Sequence, residues 1–324
     1  MKKIILVLMV MFLLLACTEA DSPNENQAIN NDFIQNTEEK NDISDESNED
    51  NVVNDDVQND NIVNTNDTEE NADSVQSKEN PITVTVIATA DYVVGGILDE
   101  QWASAKALVD LVDVANYGVY SLSGKLSSVT GDAITESFEP GEGIYIPFDK
   151  GEKFEDVLYI SDSQNTYYRE VKELSVRNDI YLNIIKGILI EKNIESEPAI
   201  KRIIKFDMEG DGVDEVLLAA ANTNLSKGIA GEKNEYSFVI LRKIINNEVK
   251  TYYLAEAFYT EDPDMENGKF SLAYEYNILG ILDLNGDGIL EIILRGNYYE
   301  GEWCEVFEFM DNSPYNVLSN GIGL

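Results

Sequence analysis

The residues best equipped for chemistry lie in two acidic nonapeptides, Asp207-Met-Glu-Gly-Asp-Gly-Val-Asp-Glu215 and Asp283-Leu-Asn-Gly-Asp-Gly-Ile-Leu-Glu291, which share one register at an offset of 76 residues. Each places acids or amides at alternate positions of a tight Gly turn and runs on into apolar residues. Oxygens spaced in this way point inward, and Ca²⁺, a hard cation, takes six to eight oxygen ligands. Asp, Asn and Gly also build β-turns for purely local reasons. Closely placed carboxylates, however, repel one another unless a cation lies between them.

Other chemistries are excluded by composition. The chain has no histidine and only two cysteines, Cys17 and Cys304, so it lacks Ser-His-Asp and Cys-His catalysis and the usual His-containing zinc sites. Cys304 follows Trp303 in a strand-like run and reads as a small buried hydrophobe. Carboxylate pairs can hydrolyse glycosidic bonds without histidine, which keeps a glycan hydrolase open as an alternative function, but no Asp or Glu is marked out for it.

The first 17 residues address the compartment. Lys2 and Lys3 form a positive n-region, Ile4 to Leu15 an apolar stretch, and Leu14-Leu15-Ala16-Cys17 sets a small residue before a cysteine. This resembles a bacterial lipoprotein signal with its lipobox. The resemblance implies cleavage before Cys17, diacylglycerol on its sulfur, and a lipid anchor on the extracytoplasmic face of the cell membrane. An ordinary secretory signal or a short membrane anchor is the other reading, although twelve apolar residues fall short of the ~20 needed to span a bilayer. Residues 18–80 then carry 19 Asp or Glu against Lys40 and Lys78, with one aromatic residue, Phe33. A segment so poor in apolar residues reads as a disordered acidic tether.

The remainder, 81–324, is also acidic, with 42 Asp or Glu against 19 Lys or Arg. Nucleic acid is therefore excluded as a partner, since phosphate neutralisation requires a basic face. The patterning predicts a mainly β fold with two helices, an α+β subdomain over 81–195 and tandem β repeats over 196–324. A strand is expected at Ile82–Ala88, with others near Gly118, Gly143 and Asp156. One helix is expected from about Glu100 to Val112, capped by Asp99 and striped by Trp102, Ala105, Val109 and Val112. A second is expected from about Ile180 to Glu191, capped by Asn178 or Asp179, with Ile184, Ile185, Ile188 and Leu189 on one face. From Ile200 onward each unit reads strand, acidic loop, strand, hairpin, the hairpins turning at Asn246-Asn247 and Asn312-Ser-Pro314; this is the layout of a four-stranded propeller blade.

An EF-hand needs a bidentate Glu at loop position 12 and a helix on each side, whereas here that position is Leu218 or Leu294 and strand patterning follows. The pattern instead resembles the calcium loops of FG-GAP and VCBS repeats of bacterial surface proteins. That resemblance implies Ca²⁺ held by the side chains of Asp283, Asn285, Asp287 and Glu291 and the carbonyl of Ile289. In the first loop it implies Asp207, Glu209, Asp211, Glu215 and the carbonyl of Val213. Glu209 departs from the usual Asp or Asn, and two units do not close a propeller on their own. The expectation is a tethered, calcium-stabilised, non-enzymatic binding or scaffold module on the cell surface, with a calcium-responsive sensor as a further reading. Tyr298, Tyr299 and Trp303 are candidates for a face that binds cell-wall glycan or an envelope protein.

Overall fold

Alternation along the strands sorts apolar side chains onto the two faces of antiparallel sheets, and this patterning organises the molecule. The computed structural model describes residues 82–323 apart from 138, 140, 142, 150–153, 155 and 162–165. Cys17, the leader and the acidic segment 18–80 lie outside the described residues.

The first sheet comprises β1 (Val84–Ala88), β2 (Val93–Leu98), β3 (Gln101–Ser104), β4 (Ala115–Ser121), β5 (Gly124–Gly131) and β8 (Leu158–Ser161), in the order β3-β2-β1-β8-β4-β5. Two short strands, β6 (Thr135–Glu136) and β7 (Ile144–Tyr145), pair with each other. The next sheet is a meander of β10 (Ile200–Phe206), β11 (Glu215–Ala221), β12 (Tyr236–Ile245) and β13 (Glu248–Phe258), edged by β9 (Lys172–Glu173). A second meander follows, made of β14 (Glu275–Leu282), β15 (Glu291–Tyr298), β16 (Gly301–Met310) and β17 (Ser313–Gly323). The fold is mainly β, with two α-helices, α1 (Ala105–Leu108) and α2 (Asp179–Glu191), and no sheet closes on itself among the described residues. No described helix is long and apolar enough to cross a membrane.

The two meanders share a register. Phe206 pairs with Glu215 across the first acidic loop, and Leu282 pairs with Glu291 across the second. Ile204, Leu217, Val239 and Leu241 of the first meander project into a core shared with Ile281, Ile292, Leu294 and Phe307 of the second. The opposite face of the first meander, Ile203, Leu218, Phe238 and Ile240, packs on Ile185, Ile188 and Leu189 of α2. Asn178 caps that helix by accepting from the Ile180 N–H at 3.0 Å.

The second meander is buried on both faces. Its Leu282, Ile293, Cys304 and Val306 meet Ile87, Leu158 and Ile160 of the six-stranded sheet. The far side of that sheet, through Val86, Ala88 and Tyr159, packs on Ala105 and Leu108 of α1. Three sheets thus stack face to face with the second meander in the middle, and the stacking is head to tail. The Leu217–Leu241 pair looks onto the second meander, and its counterpart there, Ile293–Val306, looks onto the six-stranded sheet.

Two sequence expectations are corrected. The helix over 100–112 shrinks to Ala105–Leu108, because Asp99 and Glu100 take positive φ (47° and 64°) and turn the chain back as β3. Asp99 accepts from the Thr83 N–H at 3.0 Å and caps no helix. Trp102 consequently points toward the second meander, while Ala105, Val109 and Val112 stay on the other face. The last hairpin turns at Asp311-Asn312, both with positive φ, and Pro314 lies inside β17 opposite Phe309.

Candidate metal site

Both acidic loops are built by one hydrogen-bond scheme. Asp207 accepts from the N–H groups of Gly210 at 2.6 Å and Gly212 at 2.8 Å, and Asp283 from those of Gly286 at 2.7 Å and Gly288 at 3.0 Å. Asp211 accepts from the Val213 N–H at 2.8 Å, as Asp287 does from the Ile289 N–H at 2.7 Å. Glu215 Oε2 reaches back to the Met208 N–H at 2.9 Å, and Glu291 Oε2 to the Leu284 N–H at 2.7 Å. The turns need the positive φ of Gly210, Gly212, Gly286 and Gly288, between 76° and 89°. Much of the repeated sequence therefore serves the turn itself.

The loops lie side by side. The Leu290 N–H donates to the Met208 carbonyl at 3.0 Å, and the Arg169 guanidinium donates to the carbonyls of Met208 and Gly288, both at 2.7 Å. Tyr167 exchanges two backbone hydrogen bonds with Asp283, of 2.9 and 3.1 Å. Segment 167–169 thus ties both loops together.

What surrounds the last acid of each loop differs. In the first, Lys243 of β12 donates to Glu215 Oε1 at 2.8 Å and to Glu209 Oε2 at 2.7 Å, with its ammonium 5.3 Å from the centre of the Phe309 ring. Burial alone pulls the Lys243 pKa down, but the hydrogen bonds with Glu209 and Glu215 outweigh it and leave the net shift upward. Asp207 is held below its ordinary value: burial works against this, and the N–H groups of Gly212, Gly210 and Asp211 prevail.

In the second loop no basic side chain among the described residues plays this part. Glu291 is fully buried, and its Oε1 has no hydrogen-bond partner among the described residues. Carboxylate oxygens of Asp287, Glu291 and Glu308 lie within 4.8 Å of one another. Burial, the largest cause, together with the charges of Asp287, Asp283 and Glu308, pushes the Glu291 carboxyl up to about 9 against the pull of the Leu284 N–H. Burial likewise raises Asp283. A like-charge pair at such a distance costs up to about 3 kcal/mol at an effective dielectric constant of about 20, and less where it includes the exposed Asp287. The cluster therefore either keeps a proton or takes a cation.

Glu308 was absent from the ligand set expected from sequence. Its Oε1 accepts from the Asn285 amide at 3.0 Å and its Oε2 from the Trp102 indole N–H at 2.9 Å. Asn285 faces the cluster with its amide nitrogen, while its oxygen accepts from the Asp287 N–H at 2.9 Å; ligation through that oxygen requires the amide to turn over. Asp283, its oxygens engaged by Gly286 and Gly288, acts here as the loop's internal anchor. The residues that fit a cation directly are Asp287, Glu291 and Glu308.

The aromatic candidates differ in exposure. Tyr299 is 57% exposed, but Trp303 turns inward, edge-on to Tyr274 at 5.5 Å and Tyr276 at 5.8 Å. Its ring covers Gly296, where a Cβ would approach within 2.2 Å. Tyr298 lies beside Trp303, with ring centres 6.2 Å apart.

No protein-family model matches the chain, and neither the curated proteins nor the solved structures contain a match.

Proposed function

We propose that the chain is an extracytoplasmic lipoprotein, held at the cell membrane through diacylated Cys17 and an acidic tether, whose β module takes up Ca²⁺ at its second acidic loop. In this reading the ion is a structural brace. It joins the loop to β16 and, through the Trp102–Glu308 hydrogen bond, lies next to the six-stranded sheet. The single observation that carries it is the buried Glu291 Oε1, without a hydrogen-bond partner among the described residues, on a carboxylate that lies within 4.8 Å of those of Asp287 and Glu308. A buried carboxylate oxygen without a donor is costly, and a hard divalent ion supplies the missing charge and contact together. The strand–loop–strand–hairpin order of both meanders and their head-to-tail stacking support a blade-like repeat.

The module itself is a binding or scaffold element for cell-wall glycan or an envelope protein. The close spacing of the carboxylates, together with the burial of Glu291, favours this over glycan hydrolysis. Paired glycosidase carboxyls stand about 5–9.5 Å apart with the sugar between them, whereas these oxygens lie within 4.8 Å and Glu291 has no exposure. Calcium titration of the intact chain by calorimetry, with Asp287→Ala as control, tests the ion. Absence of heat from the wild type at millimolar calcium sinks the reading.

A further inference from the structure

The strand position facing the last acid of each loop carries opposite charge in the two meanders. Val216 pairs with Arg242, and Lys243 is the next residue; Ile292 pairs with Phe307, and Glu308 is the next. Val216 and Ile292 are themselves equivalent, each following the ninth loop residue. One position thus delivers an ammonium to Glu215 and Glu209, and a carboxylate beside Glu291 and Asp287. The orphaned oxygen follows the same division. Glu215 spends both oxygens, on the Met208 N–H and on Lys243, whereas Glu291 spends only Oε2.

We infer that the residue at this strand position decides whether a loop depends on metal: Lys243 is the built-in cation of the first loop, and Glu308 is a ligand from outside the second, so that the two loops together take up one divalent ion and not two. The inference rests on the calcium reading of the second loop and adds its stoichiometry and a ligand supplied by the neighbouring strand. An ammonium hydrogen-bonded to two carboxylates offsets one of their two charges and fills the space a metal would need. Removing a carboxylate from the other cluster lowers the ligand charge that sets affinity for Ca²⁺.

The test is calcium calorimetry on the full chain, read for stoichiometry and for affinity. Wild type should bind one equivalent. Glu308→Gln, which keeps the shape, should bind at least tenfold more weakly. Glu308→Lys should bind none, yet fold, with a melting temperature that no longer responds to calcium. Lys243→Glu, prepared in calcium, should bind a second equivalent. Two equivalents in the wild type, or unchanged affinity in both Glu308 variants, overturns the inference while the calcium reading stands. No binding by the wild type removes both. If Lys243→Glu fails to fold, wild-type stoichiometry and the Glu308→Gln affinity still decide the matter.

Discussion

Lys243 and Glu215 form an ion pair of 2.8 Å whose two members are almost fully buried, and Glu209 closes the same ammonium from the other side. Removing one partner of a buried pair is expensive because the other charge remains. Lys243→Met should therefore cost about 3–5 kcal/mol at neutral pH. The double variant Lys243→Met/Glu215→Gln should recover much of that loss, because the uncompensated carboxylate is gone. Denaturant midpoints of the two single variants and the double measure this; additive losses would mean that the pair is not coupled.

Glu291 predicts a pH dependence with a definite sign. Its folded-state pKa of about 9 lies above the ordinary 4.5. Below 4.5 both folded and unfolded states hold the proton and the group contributes nothing. Between 4.5 and 9 the unfolded chain releases a proton that the folded chain keeps, so metal-free stability falls as pH rises, by at most about 1.4 kcal/mol per pH unit. In EDTA the stability difference between Glu291→Gln and wild type should grow in favour of the variant from pH 5 to pH 9. Calcium competes with that proton, so its affinity for the wild type should rise over the same window. A flat difference in EDTA would contradict the burial argument.

Trp102 gives the site an optical reporter. Its indole N–H donates to Glu308 Oε2 at 2.9 Å, so an ion beside Glu308 alters the field around the ring. Calcium should change tryptophan emission in the wild type, and Trp102→Phe should abolish that change. The variant should also lose about 1–3 kcal/mol, since a part-buried carboxylate loses a donor. If emission in Trp102→Phe still responds as the wild type does, the signal comes from Trp303.

Much of this was legible in the sequence, and what was not has physical causes. Apolar runs on either side of the acidic loops located β10 to β17, and the 76-residue offset placed both loops at the first turn of their meanders. The offset fails beyond β11 and β15. The connection into β12 spans 222–235, whereas Tyr299-Glu300 suffices before β16. Lys243 and Glu308 therefore share a place in the fold without sharing a place in the repeat, and only strand pairing reveals it. Trp102 was misplaced for a related reason. A stripe at helical spacing cannot tell a helix from a turn at Asp99-Glu100 followed by a strand, and two acidic residues at positive φ carry no strong signature. Arg169 lies in a segment without period, where nothing local marks a side chain that bridges two loops.

Arg169 itself carries a prediction about that bridge. Its guanidinium serves the carbonyls of Met208 and Gly288 at 2.7 Å each. Arg169→Ala leaves both without this donor, at about 1–3 kcal/mol for buried groups. It should also loosen one loop against the other, leaving the Leu290–Met208 hydrogen bond as the direct link between their backbones among the described residues. Hydrogen exchange at the Gly286 and Gly288 amides should accelerate in the variant. If exchange stays unchanged, Asp283 alone holds the turn.

Trp303 separates packing from binding. It is seated on Gly296 and wedged against Tyr274 and Tyr276, so Trp303→Ala should destabilise by about 3 kcal/mol. Gly296→Ala should also destabilise, because its new Cβ would fall 2.2 Å from the ring, and the ring must move. Tyr299, at 57% exposure, is the contrasting case, and Tyr299→Ala should change stability by no more than about 0.5 kcal/mol. A loss of cell-wall glycan or envelope-protein binding in Tyr299→Ala at unchanged melting temperature would place the ligand face there. A loss seen only in Trp303→Ala, together with its lowered melting temperature, would trace to the collapse of the packing beneath it.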